Sequence, residues 1–236
     1  MQPSAVSSVK APDKSGAQTL DRGIRVLEVL ADAGDPLSVA AVATELGVDR
    51  SVVYRLLRTL EHHRLVVRMG DGRVRLGTGL LALSSRLSSD LQTASAPALA
   101  SLAADVGATA FITIEDDGEA VCLAAAEPRH TDVHVAYRPG LRHTFERGAS
   151  SIALLAGRAP TPGERPQVTQ ARAVGHAISQ SEVQPGTIAV AAPIHRPGGG
   201  DAVASVAVVS LSGAIDVDAA ASRVVAAAQA ISRALG

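Results

Sequence analysis

The sequence predicts an α+β protein, with an N-terminal winged helix-turn-helix followed by a larger domain built on a mainly antiparallel sheet. Three observations predict this fold. Two short helical patterns are separated by only Gly47-Val48-Asp49, and a glycine-containing hairpin pattern follows them directly. Strand-like runs then alternate with helical runs through the second half of the chain.

The composition limits the class of protein. Of the 236 residues, 47% are hydrophobic but only 2% are aromatic, so Ala, Val and Leu must fill most of the core. Residues 1–16 are polar and rich in Ser and Pro, which predicts a disordered tail. Because we find neither a signal-peptide pattern nor an apolar run long enough to span a membrane, we expect a cytoplasmic protein.

The first two helices are predicted from their apolar spacing and their end signals. In the first, apolar residues recur at helical spacing at Leu20, Ile24, Leu27 and Ala31, and Gly34 ends it. Ser38 is expected to cap the second helix, Val39 to Leu46, with Leu37 packing as a hydrophobic staple. Gly47 is expected to end that helix in a left-handed conformation.

A third helix, capped by Asp49 and running to about His62, has two different faces. The core-facing stripe consists of Val53, Leu56, Leu57 and Leu60. The opposite stripe consists of Ser51, Tyr54, Arg55 and Arg58. Such a stripe can be an ordinary solvated helix surface, but it also suits the major groove of DNA, where Arg bonds guanine edges or phosphates.

A basic hairpin follows over residues 65–77, with Gly70-Asp71-Gly72 at its turn and Arg68, Arg73 and Arg75 expected in its strands. The window 50–75 holds seven Arg against two acidic residues, although the whole chain has a net charge of −1. Positive charge gathered on one helix and one wing indicates binding to double-stranded DNA. The expected DNA-binding residues are Arg50, Ser51, Tyr54, Arg55, Arg58, Arg68 and Arg73.

Beyond the hairpin, a helix over residues 77–92 is expected to link the two domains, and another helix is expected from Ala96 to about Val106. Strands are predicted over 108–116, 119–127, 132–137, 173–179, 187–194 and 203–213. A small-residue helix at 148–157 precedes an irregular segment rich in Pro and Gly at 157–167. A helix from about Asp218 to Leu235 closes the chain.

Residues 20–83 resemble the IclR family of bacterial transcriptional regulators, through RGIRVLEVLADAGDPLSVAAVATELGVDRSVVYRLLRTLEHHRLVVRMGDGRVRLG. The second half is more loosely similar, through GHAISQSEVQPGTIAVAAPI (175–194), SLSG (210–213) and Gly148-Ala149. The resemblance implies a DNA-binding domain at 17–78, a linker helix at 79–94 and a GAF-like effector domain at 95–236. It also implies an operator-binding dimer whose DNA affinity is modulated by a small, usually acidic, metabolite.

By position, the resemblance gives as effector-binding candidates Gly148, Ala149, Ser179, Ala189, Ser210 and Ser212. Backbone N–H groups at a helix start, here Gly148 and Ala149, suit an anion. Ser210 and Ser212 alternate along a predicted strand, so their hydroxyls are expected on one face. Ser179 and Ala189 stand where relatives often carry Asp and Cys, which leaves room for a less polar effector.

Other functions remain as alternatives. An enzyme on the GAF-like domain would need a nucleophile or metal set, and the sequence offers no convincing one, so we expect neither catalysis nor a cofactor. A metal site at His130, Asp132 and His134, or a redox sensor at Cys122, is less expected than solvated strand residues and a buried thiol. We expect at least a homodimer, with the first helix near Val26 and Leu30 supplying part of the interface.

Overall fold

The structure is a computed structural model that describes residues 16–84, 90–129, 131 and 133–236. Residues 1–15 of the expected tail, 85–89 of the expected linker helix, and His130 and Asp132 lie outside these ranges. The chain divides into two compact units, with the division between residues 88 and 89. In both units, none of the described helices is long and apolar enough to cross a membrane.

The described part of the N-terminal unit is a helix-turn-helix with a two-stranded wing. Its elements are α1 (Gln18–Ala33), α2 (Val39–Leu46), α3 (Arg50–His62), β1 (Val66–Arg68), β2 (Val74–Leu76) and α4 (Gly79–Ser84). One apolar core joins α1, α2, α3 and the wing, and it includes Val26, Val42, Leu57 and Val74. Val26 and Leu30 are buried in this core, so the expectation that they form a dimer interface is wrong.

The ends of α2 follow the sequence signals, whereas the start of α3 differs. The Ser38 hydroxyl accepts a hydrogen bond from the Ala41 N–H at 3.1 Å. Gly47 is left-handed (φ 65°, ψ 36°), which turns the chain sharply between α2 and α3. Asp49 holds the cap position of α3, but its carboxylate accepts no capping hydrogen bond, so the prediction that it caps this helix is wrong for the side chain.

The wing is the predicted hairpin, with β1 and β2 antiparallel and Arg68 opposite Val74. The Met69 N–H donates to the Arg73 carbonyl at 2.8 Å across Gly70-Asp71-Gly72. Arg73 therefore lies in the loop just before β2, which corrects its predicted place within a strand. Leu37 bridges to Val74 through two backbone hydrogen bonds, so the segment before α2 extends the wing.

In the C-terminal unit, the described strands form one antiparallel sheet of order β5-β4-β3-β8-β7-β6. The strands are β3 (Thr109–Asp116), β4 (Glu119–Ala126), β5 (Arg142–Thr144), β6 (Ala177–Gln180), β7 (Thr187–Ile194) and β8 (Ala204–Leu211). The helices are α5 (Asp90–Val106), α6 (Ala149–Ala156), α7 (Pro166–Val174) and α8 (Val217–Ala234). Helices α5 and α8 pack on one face of the sheet, and α6 and α7 pack on the other.

Four elements differ from the prediction. The strand expected at 132–137 is absent among the residues described there, although Val135 and Tyr137 are buried. The short strand β5 and the helix α7 were not predicted. The helix expected from Ala96 begins earlier, at Asp90, and continues through Pro97.

Candidate nucleic-acid interface and ligand cavity

Helix α3 presents one polar face to solvent. The apolar stripe is buried in the core of the N-terminal unit, and Tyr54 on the opposite face is 52% exposed. Ser51, Arg55 and Arg58 are exposed on the same side as Tyr54. The structure therefore brings these four predicted residues onto one accessible surface.

Two of the predicted arginines are held by carboxylates of their own unit. Arg68 Nε lies 3.0 Å from Glu61 Oε1, and its guanidinium carbon lies 5.6 Å from the centroid of the Tyr54 ring. Arg68 thus ties the wing to α3 and orients Tyr54 through a cation–π contact. Arg73 Nε lies 2.7 Å from Asp71 Oδ2 at the tip of the wing. Hydrogen bonds from the backbone and side chain of Arg73 lower the pKa of the Asp71 carboxyl, which keeps the pair ionised.

Arg50, Arg55 and Arg58 differ from Arg68 and Arg73, because they form no ion pair with any residue that the structure describes. Arg50 begins α3 and lines an open groove of about 690 Å³ together with Arg22 of α1 and the α2–α3 turn. Arg22 was missed by the sequence analysis because it lies some thirty residues from the basic window. Unpaired positive charge therefore lies on α3 and beside its start, and also at Arg75 on the wing.

A small cavity of about 20 Å³ lies at the start of α6 in the C-terminal unit. Its walls are formed by Phe111, Tyr137, His143, Gly148, Ala149, Ser150, Ser179, Glu182, Val183, Gln184, Thr187, Ala189 and Val209. The Gly148 N–H donates to Glu182 Oε2 at 2.9 Å, and the Ala149 N–H donates to Ser179 Oγ at 2.8 Å. Gly148 has a φ of 88°, and a Cβ there would lie 2.8 Å from Val183 Cγ2.

Four of the six effector candidates line this cavity, namely Gly148, Ala149, Ser179 and Ala189. Ser210 does not, because Ala189 pairs with Val209 and the alternation of β8 places Ser210 on the other face, with Val206 and Val208. Ser212 lies beyond the end of β8, where its N–H donates to the Gly186 carbonyl at 2.9 Å. The two serines therefore do not lie on a shared strand face at the cavity, contrary to the prediction.

Sequence reasoning missed Glu182, Tyr137 and His143, which come from three different segments. Tyr137 stacks on Phe111 with ring centroids 3.9 Å apart. Burial raises the pKa of the Tyr137 phenol, so it stays protonated, and burial lowers the pKa of His143. A neutral phenol and a largely neutral imidazole add hydrogen-bonding capacity to this apolar wall without adding charge.

The structure also bears on the alternative chemistries. Burial raises the pKa of the Cys122 thiol to about 12, and its Sγ lies 3.5 Å from the Ala124 carbonyl oxygen. A protonated, buried thiol is a poor nucleophile and a poor redox sensor. No group of three or more potential metal ligands occurs among the described residues, but His130 and Asp132 lie outside them.

Residues 19–70 match the family model for the IclR helix-turn-helix domain. The chain therefore carries an IclR-type helix-turn-helix domain, and it is similar to transcriptional regulators over most of its length. The HTH-type transcriptional regulator TtgV of Pseudomonas putida is 33% identical over 111 residues, which cover 47% of this chain and 39% of TtgV. The repressor AllR of Klebsiella pneumoniae is 25% identical over 228 residues, which cover 85% of this chain and 81% of AllR.

The IclR fold extends over both units. An IclR homolog from Microbacterium hydrocarbonoxydans, solved in complex with 4-hydroxybenzoate, superposes with a TM-score of 0.75. The match covers 92% of this chain and 98% of that one at 20% identity. At that identity the likeness establishes the fold.

Proposed function

We propose that this IclR-family regulator binds operator DNA as a homodimer in the cytoplasm, and that an anionic effector bound at the start of α6 changes its operator affinity. The observation that carries the DNA-binding part is the polar face of α3, where Arg55 and Arg58 are exposed and free of ion pairs. An amphipathic helix with unpaired Arg beside a basic wing fits the major groove.

The charged residues have different roles in this proposal. Arg55, Arg58 and Tyr54 contact base edges from α3, with Ser51 near the start of the helix. Arg50 and Arg22 bind phosphates from the groove that they share, and Arg73 binds phosphates from the wing. Arg68 acts mainly by positioning, since its Nε is bonded to Glu61.

The effector part rests on the cavity at the start of α6. The N–H groups of Gly148 and Ala149 are successive backbone donors at this helix start, where they donate to Glu182 and Ser179, and such donors also suit a carboxylate. Phe111, Ala189 and Val209 form an apolar wall beside those donors. The relative solved with 4-hydroxybenzoate supports an aromatic acid as one effector class. Ser210 and Ser212 are left out of this proposal because they lie away from the cavity.

The dimer part rests on DNA geometry and on α1. A single recognition helix reads too few base pairs for specificity within a genome. Leu20 and Ile24 are 64% and 49% exposed on α1, so this helix carries an apolar surface outside its own core. We propose that Leu20 and Ile24 contact a second copy of the chain.

The deciding experiment selects an operator from random-sequence DNA and measures its affinity with and without a panel of carboxylates, including 4-hydroxybenzoate. We expect nanomolar binding to the selected DNA and a several-fold change in affinity with at least one acid. The acid should be recovered unchanged by NMR after long incubation, because the protein binds it without catalysis. Failure to enrich any sequence would refute the DNA-binding part.

A further inference from the structure

The carboxylate of Glu182 separates the cavity at the start of α6 from a large open groove. Glu182 lines both the cavity of about 20 Å³ and the groove, which measures about 950 Å³. The groove is lined by Arg147, Arg158 and Arg165 beside the apolar Leu155 and Val168. Glu146 and Glu164 line the groove as well, so its lining carries charges of both signs, and Arg165 lies next to Glu182.

Glu182 is held at the position that an anionic ligand needs. Its Oε2 accepts from the Gly148 N–H at 2.9 Å, and its Oε1 lies 3.2 Å from Arg165 Nη2. Burial acts to raise the pKa of this carboxyl, but the Gly148 N–H and Arg165 leave it lowered, so Glu182 is ionised at neutral pH. The place beside the helix start is therefore already filled by a charged carboxylate.

The loop that carries Glu182 is a compact unit between β6 and β7. The Gly186 N–H donates to Ser181 Oγ at 3.1 Å, and Thr187 Oγ1 donates to the Gln184 carbonyl at 2.7 Å. These internal bonds stay intact if the loop moves as one piece. The bond that would break is the hydrogen bond from the Gly148 N–H to Glu182.

Two hydroxyls in the cavity wall have unused hydrogen-bonding capacity. Ser150 and Tyr137 are 3% and 5% exposed, and neither hydroxyl has a hydrogen-bond partner among the described residues. Glu182 satisfies the backbone at the helix start but leaves these two hydroxyls for another molecule.

We propose that Glu182 is a built-in competitor of the effector. In this proposal, which rests on the proposed effector site, an incoming carboxylate displaces the Glu182 carboxylate from the Gly148 N–H and bonds to Ser150 and Tyr137 as well. Glu182 then remains paired with Arg165 in the groove. The effector class is accordingly a monocarboxylate with an apolar body. It carries one negative charge because it replaces the single charge of Glu182, and its body is apolar because Phe111, Ala189 and Val209 form the adjoining wall.

The first test is rescue of a vacated site by acetate. Glu182→Ala removes the internal carboxylate, and acetate should then raise the Tm of this variant by about 3 °C or more over sodium chloride of equal ionic strength. Acetamide, which lacks the charge, should have little effect. Wild type and Asp105→Asn should respond to acetate as they do to chloride. Asp105 is the matched control, since it pairs with Arg223 between α5 and α8, on the face of the sheet opposite to α6. Equal acetate effects in all three proteins would overturn the proposal.

A second variant covers the case in which Glu182→Ala does not fold. Glu182→Gln keeps an oxygen for the Gly148 N–H but loses the charge. Benzoate should bind this variant about 10- to 100-fold more tightly than wild type, the range expected for displacing one charge-assisted hydrogen bond. No gain in benzoate affinity would overturn the proposal.

The two proposals fail separately. Acetate rescue of Glu182→Ala supports the competitor role even if no carboxylate alters operator affinity, a result that would instead remove the effector function. The opposite result is also possible: carboxylates change the operator affinity of wild type, but acetate does not selectively stabilise Glu182→Ala. That result would support the effector function and overturn the competitor role.

Discussion

Seven arginines between residues 50 and 75 carry the same charge in different surroundings. Sequence alone could count them and place them on a helix and a wing. It could not assign partners, because Glu61 lies on α3 and meets Arg68 only once the hairpin folds back. At the scale of the residue, the structure therefore separates arginines that are free to bind DNA from arginines that position other groups.

Arg55→Ala should weaken binding to the selected operator by about 1–3 kcal/mol, because a bond to a base edge is lost. Binding to unrelated DNA should change much less. Fluorescence anisotropy with both DNAs measures the difference. Arg196→Ala, which removes an exposed arginine of the C-terminal unit, is the control and should leave both affinities unchanged. An equal loss of affinity for both DNAs would mean that Arg55 contacts a phosphate and not a base edge.

Arg73→Ala should weaken binding to all DNA sequences alike and reduce the salt-dependence slope by about one unit. Asp71→Asn should have the opposite effect, because the charge that offsets Arg73 at the wing tip is removed. Titrations at several salt concentrations test both variants together. If Asp71→Asn also weakens binding, the carboxylate is needed to hold the wing tip in shape.

At the scale of the element, the sequence predicts a helix or strand well where neighbouring residues determine it. It predicts an element poorly where contacts between distant residues determine it. Helix α2 has the predicted bounds because its cap and its terminal glycine are local. Residues 133–137 alternate between exposed and buried like a strand. The Val135 carbonyl, however, accepts a hydrogen bond from the Thr109 hydroxyl at 2.6 Å, a side-chain bond and not one between strands. Glu182 was missed because it reaches Gly148 across 34 residues.

Ser38→Ala should destabilise the N-terminal unit by about 1 kcal/mol, since its hydroxyl caps α2. Asp49→Ala should have an effect below about 0.5 kcal/mol, because the Asp49 side chain caps nothing in the structure. Native-state hydrogen exchange of the α2 and α3 amides in the full chain measures both. Equal losses would mean that Asp49 caps α3 in solution.

Glu164 links the loop before α7 to the helix itself. Hydrogen bonds from Arg172 and Thr169 lower the pKa of this carboxyl from 4.5 to about 2. A lowered folded-state pKa stabilises the protein above the unfolded value, and that stability is lost as the pH falls from about 4.5 toward 2. Glu164→Gln should therefore show a smaller loss of Tm over this window than wild type. Glu146→Gln, an exposed glutamate nearby, is the control, and identical profiles for all three proteins would contradict the prediction.

At the scale of the whole molecule, two units with separate sites make a regulator only if their binding equilibria are linked. An effector that changes operator affinity by some factor must have its own affinity changed by operator DNA by the same factor. The family resemblance indicated the two domains and their order. The sequence could not separate the exposed apolar residues of α1 from the buried ones, because Leu20 and Ile24 have the same spacing as core residues and only the fold leaves them exposed.

Ile24→Glu should weaken dimerisation and, with it, operator binding, because a charge is placed on the exposed apolar surface of α1. Light scattering gives the mass of the free protein and of the DNA complex. Glu45→Gln changes an exposed acidic residue of α2, away from this face of α1, and should alter neither mass. A monomeric wild type on operator DNA would refute the dimer, and a dimeric Ile24→Glu with full DNA affinity would place the interface elsewhere.

The size of the cavity at the start of α6 has a consequence for kinetics. A space of about 20 Å³ holds roughly one water molecule, so a larger molecule can enter only after part of the wall has moved. In the mechanism that we propose, the moving part is the loop at 181–186. The observed rate of effector binding should then rise with concentration only until it reaches the opening rate of that loop. Beyond this point the speed of the response is a property of the protein, and acids of very different affinity should share one limiting rate.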